Sequence, residues 1–322
     1  MLAGPLLEWT DPPKEFIGFV AQFFAAGAIG FRYFALRGRR IETDRPFYDD
    51  AERRGAIVGI IGVLLGLLLA WMDLPGLAAR RHLTAGALLT GDAQTAMEFG
   101  FLVLALVGFA LGTARLGIGW ALAAIGVVVG SLRAVFTGKW ASLVNPIHVL
   151  AAGLWIGTLF VLVLAGLTAL LKHEPTRERR GAIAADMVNG FSPLALTMGG
   201  VVVLFGLITA WRHLHVISNL WSTPYGITLI VKLCFVAAVF GLGAWNWRRQ
   251  RPTLGTEGGA VSIRHSSIRE LTVACIVLII TSVLVSLPAP RRPRPPGAVP
   301  APSANATPGV AAPLGAPAAP AQ

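Results

Sequence analysis

The feature that most constrains this chain is a series of eight apolar runs, each long enough to cross a lipid bilayer as a helix. A helix rises about 1.5 Å per residue and a bilayer core is about 30 Å thick, so about 20 apolar residues are needed. The predicted spans are residues 16–36, 55–72, 97–114, 116–136, 144–171, 191–211, 224–247 and 267–287. The sequence therefore predicts an all-α polytopic membrane protein, a bundle of about eight transmembrane helices.

The composition of the chain supports this fold class. Hydrophobic residues make up 55% of the sequence and charged residues 13%, a balance outside that of ordinary soluble domains. One membrane domain is predicted over 1–287, and the Pro- and Ala-rich segment 288–322 is predicted to be a disordered tail. Residues 1–15 lack a basic region followed by a cleavage site, so the first run is expected to be a retained helix.

The Lys and Arg residues gather in alternate loops, which predicts the orientation of the bundle. Of the 27 such residues, 16 fall on one side and 8 on the other, and the remaining three lie inside spans. The positive-inside rule assigns the richer side to the cytoplasm and both termini to the outside. The net charge of +11 is divided among short loops, which favours contact with anionic lipid and argues against nucleic-acid binding.

Several motifs in the second half resemble one family of bacterial inner-membrane proteins. They are HVLAAGLWIG in span five, GFSPLAL and TAW at the two ends of span six, TPYGITLIVKL in span seven, and Asn246–Trp247–Arg248–Arg249 at its end. Together they resemble the copper-resistance D family over about residues 130–287. The resemblance implies eight helices, both ends outside, and handling of a copper ion, Cu(I) or Cu(II), at the inner membrane. The expected partners are membrane lipid and a periplasmic copper carrier or other membrane subunits.

Two positions depart from the family pattern. Members often carry a TGHA-like string before span five, whereas this chain has Thr137–Gly138–Lys139–Trp140. A histidine is also frequent in span one, where this chain offers Gln22. Two expected metal ligands are therefore missing, at Lys139 and Gln22.

Four of the six histidines fall on the predicted outer side, and imidazole and thioether groups suit copper. The candidate metal ligands are His82, His148, His213, His215 and Met97. His148 lies about one turn into span five, with Trp155 on nearly the same helix face. The alternatives remain a polar and aromatic membrane belt for His213 and His215, and a hydrogen-bonded helix-end histidine for His148.

Lys232 is a charge inside span seven, where such residues are costly unless they face the protein interior. Glu98 and Asp73 are the candidate partners. The functional interpretation is a gate or a proton-linked site. A structural ion pair, or a lysine snorkelling to the surface, is the alternative.

Cys234, Cys275 and Met198 form a deeper candidate set of soft ligands for Cu(I). The alternative is the usual role of such residues as small or adaptable hydrophobes. Haem is not expected, because His148 is the only histidine within a span. The sequence contains no HExxH, CxxC or GxSxG motif, so no enzyme is expected.

Two functions of different class follow. The first is a copper-handling permease that accepts copper at the outer face. The second is a non-transporting membrane subunit that serves the assembly of a larger complex.

Overall fold

The computed structural model describes residues 11–37, 42–172, 179–214, 216–250 and 257–288. The described residues form helices and turns and contain no strand, as predicted for an all-α membrane protein. The helices are α1 Asp11–Tyr33, α2 Arg45–Arg80, α3 Ala85–Gly91, α4 Ala93–Thr113, α5 Gly117–Val129, α6 Trp140–Leu171, α7 Arg180–Leu214, α8 Asn219–Ser222, α9 Pro224–Gln250 and α10 Glu257–Ser286. Beyond residue 288 the predicted tail lies outside the described residues.

Seven of these helices are long and apolar enough to cross a membrane, and they correspond to seven of the eight predicted spans. The fourth predicted span, 116–136, is the exception, because α5 ends at Val129. Beyond it the chain forms a 3₁₀ turn, Arg133–Thr137, that closes at Gly138 with a φ of +69°. The apolar composition of this run continues past the point where the helix stops, which is why hydropathy alone overestimates its length.

Helix α1 lies in the middle of the bundle and packs against α2, α6 and α10. It crosses α6 at Gly27 and Gly157, where a methyl group built on Gly27 would lie 2.3 Å from the carbonyl carbon of Gly157. Small residues let helix backbones approach closely in a membrane, where hydrophobic burial cannot drive association. This crossing fixes α6 against the centre of the molecule.

Helix α6 departs from regular α-helical geometry in two places. Gly153–Gly157 and Leu162–Leu167 are π-helical. Such bulges are rare and occur often at functional sites. The first of them contains Trp155, whose ring lies near Gly199 of α7, while the His148 ring lies near Gly206 of the same helix.

Polar contacts occur between residues that the predicted topology places on the same side of the membrane. At one end Lys14 pairs with Asp73, and Arg81 lies 2.5 Å from Asp92. At the other end Arg179 lies 2.5 Å from Asp44. We refer to the first as the outer end and the second as the inner end, after the predicted topology.

Asp92 also begins α4, because its carboxylate accepts hydrogen bonds from the Thr95 hydroxyl at 2.7 Å and the Thr95 amide at 3.0 Å. These two bonds, followed by the Arg81 guanidinium, lower the pKa of Asp92 from 3.8 to about 2. The carboxylate therefore caps the helix as an anion down to strongly acidic pH.

Candidate functional site

His148 is held between α6 and α7 near the outer end. Its Nδ1 lies 2.9 Å from the carbonyl oxygen of Val202, and its side chain is half-buried. A carbonyl oxygen only accepts, so Nδ1 is the donor. In the neutral imidazole the lone pair is then on Nε2. This arrangement is the one that metal-ligating histidines use, in which one ring nitrogen is oriented by a backbone carbonyl and the other is free.

Glycine at position 206 makes room for the His148 ring. A methyl group built on Gly206 would lie 2.9 Å from Cε1 and 3.3 Å from Nδ1 of His148. Gly206 follows Val202 by four residues, so the two share one face of α7. The imidazole ring therefore packs directly against Gly206 while its Nδ1 bonds to the Val202 carbonyl.

Lys232, on α9, lies close enough to His148 to act on it electrostatically. Its side chain is half-buried, and no carboxylate of the described residues lies within ion-pair distance of it. The predicted pair of Lys232 with Glu98 is not formed, because Arg133 lies 2.9 Å from Glu98. Asp73, the other candidate partner, pairs with Lys14. The lysine thus neighbours the histidine and neither of these acids.

The other predicted ligands do not gather around His148. His82 is exposed in the turn after α2, with a φ of 54°. His213 bonds through Nδ1 to the Thr209 carbonyl at 2.8 Å and stacks on the Tyr225 ring. Met97 is half-buried in the first turns of α4, and His215 lies outside the described residues. Across the described ranges, no three His, Cys, Asp or Glu side chains are grouped so that they could hold a metal ion.

The two positions that depart from the family pattern make polar contacts of their own. Gln22 donates from Nε2 to the Ser131 hydroxyl at 2.9 Å, and both line a cavity that Glu98 and Arg133 also line. Lys139 Nζ lies 3.3 Å from Oε1 of Gln94. Gln22 thus bonds to another uncharged side chain, and the ammonium of Lys139 bonds to an amide oxygen.

The cysteines of the deeper candidate set are both free and exposed on the outside of their helices. Met198, the third member, packs against the hydrophobic core. Cys234 and Cys275 therefore have the surroundings of ordinary surface residues of membrane helices.

Two features near α9 were not singled out from the sequence. Trp155 and Phe240 bring their ring centroids within 4.7 Å, and both rings lie against Gly199. Towards the inner end, Asn246 donates a hydrogen bond to the carboxylate of Glu270. A charged residue only a few positions inside the last apolar run was the signal available for Glu270.

The sequence profile of the family Copper resistance protein D matches residues 185–284. The family resemblance is confirmed. The matched region contains Val202, Gly206 and Lys232, whereas His148 precedes it. It is also narrower than the region 130–287 expected from the motifs.

Among curated proteins, the chain is 31% identical over 156 residues to "Copper transport protein CutJ" of Bacillus subtilis (strain 168). The alignment covers 48% of this chain and 26% of that relative, so the chain spans about a quarter of the relative's length. No solved structure matches the chain.

Proposed function

We propose that this chain is a non-enzymatic membrane protein that handles copper ions, accepting the ion at the outer end through His148 and passing it through the helix bundle. The match of residues 185–284 to Copper resistance protein D carries the proposal. The printed name of the Bacillus subtilis relative, a copper transport protein, agrees with it. The proposed location is a bacterial inner membrane with both termini outside.

The geometry of His148 supports its role as the first ligand. Its Nδ1 is engaged by the Val202 carbonyl, so the lone pair of Nε2 is free for a copper ion. A transport site must also release its ion, and a small number of ligands serves that need. His82, His213, His215 and Met97 are proposed as further ligands that approach only when the outer loops rearrange.

The nearby ammonium group of Lys232 affects the binding of a copper ion at His148. A cation at His148 is repelled by a neighbouring positive charge, and the repulsion is strong where water is scarce. The close backbone contacts of α9 are with α8 and α10. A displacement of α9 would therefore move Lys232 relative to His148 without disturbing the seat of the imidazole on α7.

The proposal is tested by measuring copper accumulation in cells with and without the gene, and with His148→Ala. His265→Ala is the matched control, because His265 is an exposed histidine near the inner end. We expect copper accumulation to depend on the gene, to fall with His148→Ala and to be unchanged with His265→Ala. Equal accumulation in all four strains would contradict the proposal.

The second candidate function is a non-transporting subunit that assembles a larger membrane complex. It is favoured by one observation, that the described part of the chain contains no group of three potential metal ligands. Purification in mild detergent separates the two. Stoichiometric partner proteins without bound copper support the subunit, whereas copper in the isolated chain supports the permease.

A further inference from the structure

Glu270 is an acidic residue inside a membrane-spanning helix for which the described residues supply no Lys or Arg partner. Glu270 lies nine residues into the membrane-spanning part of α10, Val261–Ser286, and is half-buried. Its one side-chain hydrogen bond within the described ranges comes from Asn246. Seven other described carboxylates each have a Lys or Arg within ion-pair distance: Asp44, Asp49, Asp50, Glu52, Asp73, Asp92 and Glu98.

A carboxyl group inside a membrane is costly to ionise when, as for Glu270 among the described residues, no Lys or Arg lies beside it, and such residues mark ion pathways more often than structural positions. Asn246 does not neutralise the charge, since an amide supplies hydrogen-bond donors but no formal charge. With its amide nitrogen used by Glu270, the Asn246 oxygen is available as an acceptor beside the carboxylate oxygens. The pair therefore offers oxygen donors from two helices to a cation.

The position of the pair along α9 relates it to His148. Lys232, the α9 neighbour of His148, and Asn246 are fourteen residues apart, about 21 Å along a helix. Phe240 is at an intermediate level, where its ring contacts Trp155 of α6. Measured along the axis of α9, His148 and Glu270 thus lie towards opposite ends of that helix, with the rings of Trp155 and Phe240 between them.

We propose that Glu270 and Asn246 form a second cation site at the inner end of α9 and α10, which takes the copper ion after His148. This inference rests on the proposed copper-handling function. Imidazole nitrogen and carboxylate oxygen are donors that suit divalent copper, whereas Cu(I) prefers sulfur ligands. The inner site is therefore a site for Cu(II), and a cation bound there supplies the counter-charge that the described residues do not give Glu270.

Electron paramagnetic resonance of the full-length chain titrated with Cu(II) in detergent tests the site directly. We expect two signals, one with nitrogen coupling that disappears with His148→Ala, and one with oxygen donors alone that disappears with Glu270→Gln. Asp186→Asn, which removes an exposed carboxylate from the inner part of α7, is the matched control and should retain both signals. A Glu270→Asp variant, which keeps the charge, should retain the oxygen signal in weakened form.

Uptake of Cu(II) into proteoliposomes gives the second measurement. Glu270→Gln should lower the initial rate at least about tenfold, and Asp186→Asn should not. An oxygen-only signal that is absent in the unaltered chain, or that survives Glu270→Gln, overturns the inner site. If the unaltered chain shows no nitrogen-coupled signal and no uptake above that of empty vesicles, the copper-handling function is contradicted instead.

Discussion

The seat of His148 on α7 leads to a prediction about a residue that does not touch the ion. In Gly206→Ala, the added methyl carbon would begin 2.9 Å from His148 Cε1, whereas carbon atoms in contact are separated by about 3.5–4.0 Å. The ring must therefore retreat by about 0.6–1 Å. The Nδ1 to Val202 oxygen distance is 2.9 Å, and lengthening it by that amount takes it past the range of a hydrogen bond.

The effect of this change on stability and on copper binding should differ. Loss of one hydrogen bond costs about 0.5–1.5 kcal/mol, while replacing a helical glycine by alanine gains up to about 1 kcal/mol. The two nearly cancel in the free energy of unfolding. Copper affinity has no such compensation, and loss of the group that orients a ligating histidine lowers metal affinity about 10- to 100-fold.

Gly200→Ala is the matched control. Gly200 lies on the same helix, and a methyl group built on it has no neighbour within 4 Å. Copper affinity is measured by competition with a chromogenic chelator on each purified variant. Gly206→Ala should bind copper at least about tenfold more weakly than the unaltered chain, and Gly200→Ala should bind it equally well. Equal affinities in the two glycine variants would refute the role of the Val202 carbonyl in orienting the ligand.

Two further predictions concern stability. Gly27→Ala places a methyl group 2.3 Å from the Gly157 backbone, so unfolding titrations should show a loss of about 1–3 kcal/mol, whereas Gly100→Ala, with open space, should show none. The pKa of Asp92 is lowered to about 2 from 3.8, so its anion stabilises the fold above about pH 4 and this contribution is lost as the pH falls towards 2. Melting temperatures between pH 5 and pH 2 should show a smaller acid-dependent fall in Asp92→Asn. An identical fall in both proteins would rule out this role.

Hydropathy predicted the helices well because lipid imposes a single requirement on each of them. A segment without water must satisfy its backbone groups internally, so a long apolar run becomes a helix. The α5 region shows the limit of that reasoning. Residues 130–136 include four apolar side chains, but Arg133 among them reaches Glu98 on α4, and the chain turns there.

The partners of the charged and polar residues could not be predicted in the same way. Glu98 was a reasonable candidate for Lys232, because both were expected in the outer half of the bundle. Which of several cations an acid contacts depends on the rotation of each helix about its axis. That rotation is set by packing against neighbouring helices. In the structure Arg133, and not Lys232, lies within ion-pair distance of Glu98.

His148 illustrates how much of a site depends on such packing. Its depth and its alignment with Trp155 follow from position in one helix, and both were expected from spacing. The carbonyl that orients it and the glycine that admits it belong to α7, more than fifty residues later in the chain. A backbone carbonyl carries no side-chain signal, and a glycine in a glycine-rich membrane helix is not distinctive. The orientation of the His148 ring is therefore a property of the α6–α7 contact. Substitutions along that contact should change copper binding as strongly as substitutions of Lys232, the charged neighbour of His148.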